Sequence, residues 1–149
     1  MVKEVTTMHD LIFRIFDKKN KKMIDNCGLV DIDSTRYDFE CVDFVFSING
    51  YEIYKSDMVV NLYIGLNDTK GKMIYEGDII RIKFITHRTN RINIFHPIDR
   101  YSEHLKVIEV KFDKGMFNIA KFYNYPHIVE ECEIIGNIYQ NPELLSIFE

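Results

Sequence analysis

The chain has 149 residues and a formal net charge of −4, with 46% hydrophobic and 13% aromatic residues. This length and composition exclude a disordered chain and allow one domain, or one domain with a smaller added layer, to bury a core. No segment approaches the roughly 18 apolar residues that a membrane helix needs, and the first residues lack a signal-peptide pattern. We therefore expect an intracellular protein with no membrane contact.

Three cysteines are present, Cys27, Cys41 and Cys132, and none forms a CxxC pair. An odd number of cysteines is more typical of a reducing compartment than of a disulfide framework. We expect all three to be buried or half-buried apolar side chains without a redox role.

The N-terminal third alternates with a period of two, which is typical of β-strands. A first hairpin is predicted around residues 17–21, where Asn20 can adopt a left-handed conformation. The alternation between Asp38 and Ile48 slips at Val42, so a bulged strand and a short helix followed by a strand both fit. Asn49-Gly50 then predicts a second hairpin turn.

Two turns dominate the middle of the chain, after a predicted strand over Met58–Gly65. At the first turn, 68–71, Gly71 supplies a positive φ. At the second, Gly77 permits a tight bend and the Asp78 carboxylate can accept bonds from nearby backbone N–H groups. A cation site around Gly77 would need further oxygen ligands, which the sequence does not supply at a recognisable spacing.

The next strand, Ile79–Phe84, predicts a basic outer face with Arg81 and Lys83. Residues 85–104 are irregular, polar and basic, and either a long loop or an inserted hairpin fits them. The remaining elements are a hairpin over residues 105–120, a final strand over 131–139, and a short helix after Pro142. The whole pattern predicts a mainly β protein, a small barrel or roll.

Three blocks of the sequence together resemble the YopX family of phage and prophage proteins. The first is Phe13–Asp17, in which Ile15 and Phe16 replace the Ala and Trp of the family. The second block runs from Tyr63 to Ile80, and the third, from Ile134 to Leu145, contains Gly-Asn-Ile-Tyr-Gln-Asn-Pro-Glu-Leu. The blocks occur in the family's order and span nearly the whole chain.

This resemblance implies an SH3-like β-roll, homo-oligomeric assembly and the cytoplasm of a bacterial host, with no assigned catalytic residues or cofactors. On that basis, residues 1–57 are expected to form an N-terminal hairpin layer packed on the core. Residues 58–149 are expected to form the roll, with the basic insertion at 85–104 and a short C-terminal helix.

The strongest functional lead is a basic window from Arg81 to Lys106, which has six basic and two acidic residues. Nucleic-acid surfaces combine cations for phosphates with rings for stacking. The candidate contact residues for nucleic acid or another partner are Arg81, Lys83, Arg88, Arg91, Phe95, Arg100 and Tyr101. An alternative is that these cations pair with the acidic segment Asp31 to Asp57, within one chain or across an oligomer interface.

Known catalytic and nucleotide-binding motifs are absent from the sequence, and the spacing of His87, His96 and His104 does not suit zinc. We therefore expect a non-catalytic protein without a metal or cofactor. The predicted function is a phage or prophage accessory protein that binds a macromolecule, such as a host or phage protein, and associates with itself. Two alternatives are a nucleic-acid-binding module that uses residues 81–106 and an inhibitor of a host factor, which would recognise the acidic segment.

Overall fold

The computed structural model describes residues 12–28, 32–90, 98–124 and 126–147. The chain divides into two compact units, residues 1–63 and 64–149. The expected packing of residues 1–57 on the remaining chain stays a prediction.

The first unit is built from antiparallel strands, and the last of them continues into the second unit. They are β1 (Ile12–Asp17), β2 (Lys22–Gly28), β3 (Ile32–Asp38), β4 (Asp43–Ile48), β5 (Tyr51–Tyr54) and β6 (Met58–Asn67). Strand β1 pairs with β2 on one side and β6 on the other, whereas β3, β4 and β5 form a separate meander. The slip at Val42 is therefore neither a bulge nor a helix, but the turn between β3 and β4.

The core of the first unit contains residues from both sheets. Phe13, Ile15 and Cys27 come from β1 and β2, and Ile48 and Ile53 from β4 and β5. Each of these five side chains is at most 5% exposed. Removal of such side chains from water is the main favourable term in folding.

The β1–β2 turn depends on the Asp17 carboxylate. It accepts hydrogen bonds from the backbone N–H groups of Lys19 and Asn20 and from the Tyr51 hydroxyl, the last at 2.6 Å. The left-handed residue is Lys21, with φ 53°, so the prediction of this role for Asn20 is wrong. The Asn20 amide instead donates to Asp17 at 2.8 Å.

The second unit follows β6 and contains six further strands and one α-helix. They are β7 (Met73–Tyr75), β8 (Asp78–Asn90), β9 (Ile98–Glu109), β10 (Phe112–Asp113), β11 (Met116–Phe117), β12 (His127–Asn137) and α1 (Glu143–Ile147). Strand β8 is central in an antiparallel sheet of order β12-β8-β9, while β10 and β11 form a short hairpin. A 3₁₀ helix, Asn118–Tyr123, precedes β12.

From Ile80 to Phe84, β8 alternates between buried and partly exposed residues. Ile80, Ile82 and Phe84 face the core of the second unit and are at most 4% exposed, beside Val110 and Cys132. Arg81 and Lys83 lie between them and point to the opposite face. The half-buried strand predicted from the sequence thus becomes the middle strand of its sheet.

The turn at Asp68 connects β6 to β7 and contacts β12. Its carboxylate accepts the backbone N–H groups of Lys70 and Lys72 at 2.9 and 2.8 Å, and that of Ile134 at 3.3 Å. Burial raises the pKa of Asp68, but these hydrogen bonds outweigh burial and hold it below its usual value. Gly71 closes this turn at φ 83°.

The corner at residues 76–78 joins β7 to β8. Gly77 has φ 83°, which a residue with a β-carbon rarely adopts. The buried Asp78 carboxylate accepts the Tyr75 backbone N–H at 2.8 Å. In this arrangement both groups stabilise the bend between the strands.

Close packing also explains Gly136 on β12. A β-carbon at this position would lie 2.7 Å from the Asn141 side-chain oxygen and 2.8 Å from a Leu144 methyl carbon. The residues that begin the terminal helix can therefore approach the strand only where it lacks a side chain.

The mainly β class is confirmed, with a curled sheet and a short C-terminal helix. Of the two alternatives for residues 85–104, the long loop is wrong because β8 and β9 extend through the described part of this segment as a hairpin. The predicted pairing across residues 105–120 is limited to β10 and β11, since residues 105–109 pair with β8 instead. Among the described residues, no helix is long and apolar enough to cross a membrane.

Candidate functional site

The β8–β9 hairpin contains every described residue of the candidate contact set. Strand β12 covers β8 only from Asp78 to Thr86, where His127 is the last paired residue. We call the part of the hairpin up to the Thr86–Ser102 pair the inner half, and the part from the His87–Tyr101 pair onward the outer half. Within the described sheet, the outer half is a two-stranded ribbon.

Both cations of β8 in the inner half have acidic partners on β12. Arg81 forms an ion pair with Glu133, which also pairs with Lys70. The Lys83 ammonium lies 3.1 Å from Glu130. Strand β12 thus supplies acidic partners to Arg81 and Lys83. Pairing with the segment Asp31 to Asp57, within one chain or across an oligomer interface, stays a prediction.

These contacts shift the ionisation of the groups involved. The hydrogen bond from Lys70 and its charge lower the pKa of Glu133 below its usual range, and the same contact raises that of Lys70. The hydrogen bond to Glu130 raises the pKa of Lys83. Glu133, Lys70 and Lys83 are therefore charged at neutral pH. The face of β8 that contains Arg81 and Lys83 is locally compensated by β12.

The outer half places two cations opposite each other. Arg88 is the direct cross-strand partner of Arg100, on the same face as the Thr86–Ser102 pair. Like charges at directly opposite positions repel and destabilise a strand pair. Among the described side chains, neither arginine has an ion-pair partner.

Both arginines line a cavity of about 370 Å³ together with Thr86, Ser102 and His104. We call it the Arg88–Arg100 cleft. The His104 ring stacks on Phe84 with ring centroids 5.1 Å apart. Guanidinium and hydroxyl groups are the donors that bind phosphate and carboxylate oxygens. The cleft can therefore bind an anion, whose charge would relieve the repulsion between the arginines.

Tyr101 lies on the opposite face of the same ribbon. Its ring stacks on His87, with centroids 4.9 Å apart and planes 13° apart, and it is 62% exposed. The structure thus brings Arg88 and Arg100 together and separates Tyr101 from them by the thickness of the ribbon. Arg91 and Phe95 lie outside the described residues.

A second cavity of the same unit, about 380 Å³, contains polar groups that could suggest chemistry. Its lining includes Asp68, Tyr123, His127 and Cys132. Burial raises the pKa of the Cys132 thiol, which therefore stays protonated and is a weak nucleophile at neutral pH. Burial and the neighbouring Cys132 raise the pKa of Tyr123 to about 12. In the part of the chain that the structure describes, no group of three His, Cys, Asp or Glu side chains could hold a metal ion.

Cys27 and Cys132 are buried, whereas Cys41 is exposed, so the expectation of burial is wrong for Cys41. Sequence reasoning also missed five residues of the site: Glu130, Glu133, Thr86, Ser102 and His104. The run Glu130-Glu131-Cys132-Glu133 was a usable signal, because an acidic strand complements the basic face of β8. Nothing in the sequence assigned Thr86, Ser102 and His104 to a common cleft, because that requires the register of the β8–β9 hairpin.

Comparisons with known proteins identify a family and a similar solved structure. A family model described as YopX protein matches residues 12–146. A crystal structure of protein EF1440 from Enterococcus faecalis is similar, with 24% identity, a TM-score of 0.48, and coverage of 91% of this chain and 97% of that chain. No curated protein matches the chain.

Proposed function

Since the chain belongs to the YopX family, we propose that it is a non-catalytic phage or prophage accessory protein that binds nucleic acid through the outer half of its hairpin. The observation that carries this proposal is the direct opposition of Arg88 and Arg100 over a polar cleft. Two adjacent guanidinium groups without described acidic partners are suited to a phosphate backbone.

The shape of the hairpin supports the same ligand. A two-stranded β-ribbon fits the major groove of duplex DNA, and exposed rings such as Tyr101 can stack on unpaired bases. The inner half contributes little to such binding, because Glu130 and Glu133 compensate Arg81 and Lys83. The overall charge of −4 is compatible with a ligand contact that is confined to one end of the hairpin.

The test is binding of fluorescein-labelled mixed-sequence DNA, single-stranded and duplex, measured by anisotropy as a function of salt. The variant Arg88→Gln/Arg100→Gln should lose about tenfold or more in affinity, and the slope of log K against log salt should fall by about 1.4 to 1.8. The matched control is Lys111→Gln/Lys114→Gln, which removes two exposed cations of the same unit outside the cleft. Equal losses in the two variants, or no binding by the native protein, would refute the proposal.

Self-association is a second candidate function, and β9 favours it. This strand is an outer strand of its sheet, and it exposes Tyr101 and Leu105, the latter to 59%. Unprotected outer strands can pair with another chain. Light scattering at low and high salt, with and without oligonucleotide, separates the two functions.

The variant Leu105→Lys should lower the mass of a β9-mediated oligomer, because a lysine on an outer strand opposes pairing. The variant Arg88→Gln/Arg100→Gln should leave that mass unchanged. A mass that rises only when oligonucleotide is added would instead favour assembly on the nucleic acid. A monomer under all conditions would exclude self-association.

A further inference from the structure

The turn between β3 and β4, residues 39–42, exposes two large apolar side chains. We call it the β3–β4 tip. Phe39 is 85% exposed and Val42 is 73% exposed, and Tyr37 and Phe44 lie next to the turn with partial exposure. Single exposed apolar residues are ordinary, but a contiguous apolar group on one short turn is typical of an interaction surface.

Hydrogen bonds from both ends of the turn hold its geometry. The Asp38 carboxylate accepts the backbone N–H groups of Glu40 and Cys41 at 3.0 and 3.2 Å, and the Tyr54 hydroxyl at 2.8 Å. The Asp43 carboxylate accepts the Ser56 backbone N–H at 3.0 Å. The tip is thus fixed to β5 and to the residues that follow it, so little ordering entropy would be lost when a partner binds.

Val42 has an unfavourable backbone conformation, with φ 54°. A β-branched residue is among the least suited to this region, whereas asparagine or glycine adopts it more readily. Because Val42 is both strained and highly exposed, it does not stabilise the isolated fold. Such a conformation persists where the surrounding contacts enforce it, often at a ligand-binding position.

The aromatic residues around the tip have a defined arrangement. The Phe39 ring meets Tyr37 edge to face, with centroids 4.9 Å apart, and Tyr37 meets Phe44 in the same way at 5.1 Å. Edge-to-face contacts of this kind favour one relative orientation of the rings. Phe39 is therefore presented to solvent as a defined apolar projection.

Acidic groups surround this projection. Asp38, Glu40 and Asp43 lie within or beside the turn. Two cations lie near them: Lys55, 5.9 Å above the Phe44 ring, and Arg36, which pairs with Glu52. The hydrogen bond from Tyr54 lowers the pKa of Asp38, and the hydrogen bonds from Ser56 lower that of Asp43. Both carboxylates are therefore ionised at neutral pH, and the surroundings of Phe39 and Val42 are net acidic.

We propose that the β3–β4 tip is a docking surface for a protein segment that carries apolar side chains between lysines or arginines. Apolar side chains of the partner would cover Phe39 and Val42, while its cations would meet the surrounding carboxylates. An anionic membrane surface is disfavoured because it would repel the same carboxylates. This inference uses residues of the first unit alone and does not depend on anion binding by the hairpin.

The test begins with a random peptide library displayed on yeast and selected on the full-length protein. Selected peptides should combine aromatic or aliphatic residues with Lys or Arg. Binding of synthetic fluorescent peptides is then measured by anisotropy. The variants Phe39→Ser and Val42→Asn should each weaken binding about tenfold or more, as expected when a central apolar contact is removed.

Val42→Asn separates docking from folding. Asparagine tolerates a left-handed conformation, so this variant should keep or raise the melting temperature while it loses peptide affinity. Arg88→Gln/Arg100→Gln is the control and should leave peptide affinity unchanged. Modification of the exposed Cys41 by a bulky methanethiosulfonate reagent should block binding, and a reducing agent should restore it.

Four results would overturn the proposal. Selected peptides that lack basic residues, or that bind Phe39→Ser as well as the native protein, would exclude this surface. A native dimer that Phe39→Ser converts to a monomer would assign the tip to a second copy of the chain. Binding of anionic lipid vesicles that depends on Phe39 would assign it to a membrane.

Discussion

The inner and outer halves of the β8–β9 hairpin both contain basic residues, yet the charges on β8 have different neighbours in the two halves. In the inner half, Arg81 and Lys83 have glutamate partners because β12 lies alongside. In the outer half, the β8–β9 register places Arg88 opposite Arg100, and β12 supplies no partner there because its pairing ends at the level of Thr86. The length of a neighbouring strand thus decides whether a basic residue contributes to the fold or stays available to a ligand.

The largest expected difference between the halves is in stability. Ile82→Ala empties a fully buried position of the inner half and should reduce the free energy of unfolding by about 2–5 kcal/mol. Arg100→Gln, at an exposed position of the outer half, should change it by less than about 0.5 kcal/mol. Urea denaturation of both variants measures the difference. Similar losses would contradict the distinction drawn between the two halves.

The expected difference in DNA affinity between the two halves should disappear when the acidic partners on β12 are neutralised. Glu130→Gln/Glu133→Gln takes away the partners of Lys83 and Arg81, so the inner half should gain DNA affinity of about tenfold at low salt. The control Asp113→Asn/Glu143→Gln changes the net charge equally at exposed positions of the same unit. If the control gains as much affinity, net charge rather than pairing determines the difference.

Reversing the charge of Arg88 should make the outer half more stable and a weaker DNA binder. Arg88→Glu places a carboxylate opposite Arg100, which should raise the free energy of unfolding by about 0.2–1 kcal/mol while DNA affinity falls. Chemical denaturation and anisotropy measure the two effects on the same sample. If Arg88 contributed only to stability, its replacement would lower the free energy of unfolding and leave DNA affinity unchanged.

The smallest expected effect is the dependence of thermal stability on pH. The pKa of Glu133 in the folded chain lies below its ordinary value of 4.5, so its contribution to stability is present above that pH and is lost as the pH falls through the folded pKa. The native protein should therefore melt above Glu133→Gln at neutral pH, and the two melting temperatures should converge in acid. A difference that does not depend on pH would show that Glu133 acts through packing rather than charge.

Local chemistry made much of the fold predictable. The Asn49-Gly50 turn, the bends at Gly71 and Gly77, and the alternation along β8 follow from backbone preferences and from a period of two. The candidate site was harder to predict. The sequence showed a basic window, but not the strand register that decides which of its residues have acidic partners. From charge alone, the acidic segment Asp31 to Asp57 was the predicted partner, whereas the pairs that the structure describes for Arg81 and Lys83 use glutamates on β12.

The sequence by itself determined the mainly β class, the family, and the turns at Asn49-Gly50, Gly71 and Gly77, because each of these follows from patterns within short stretches of the chain. Only the tertiary structure decided which cations are compensated. Register shifts in β12 beside Glu130 and Ile135, and the end of its pairing at His127, set the partners of each residue on β8. Those partners are distant in sequence, and electrostatic compensation depends on distances that only the packed sheet defines.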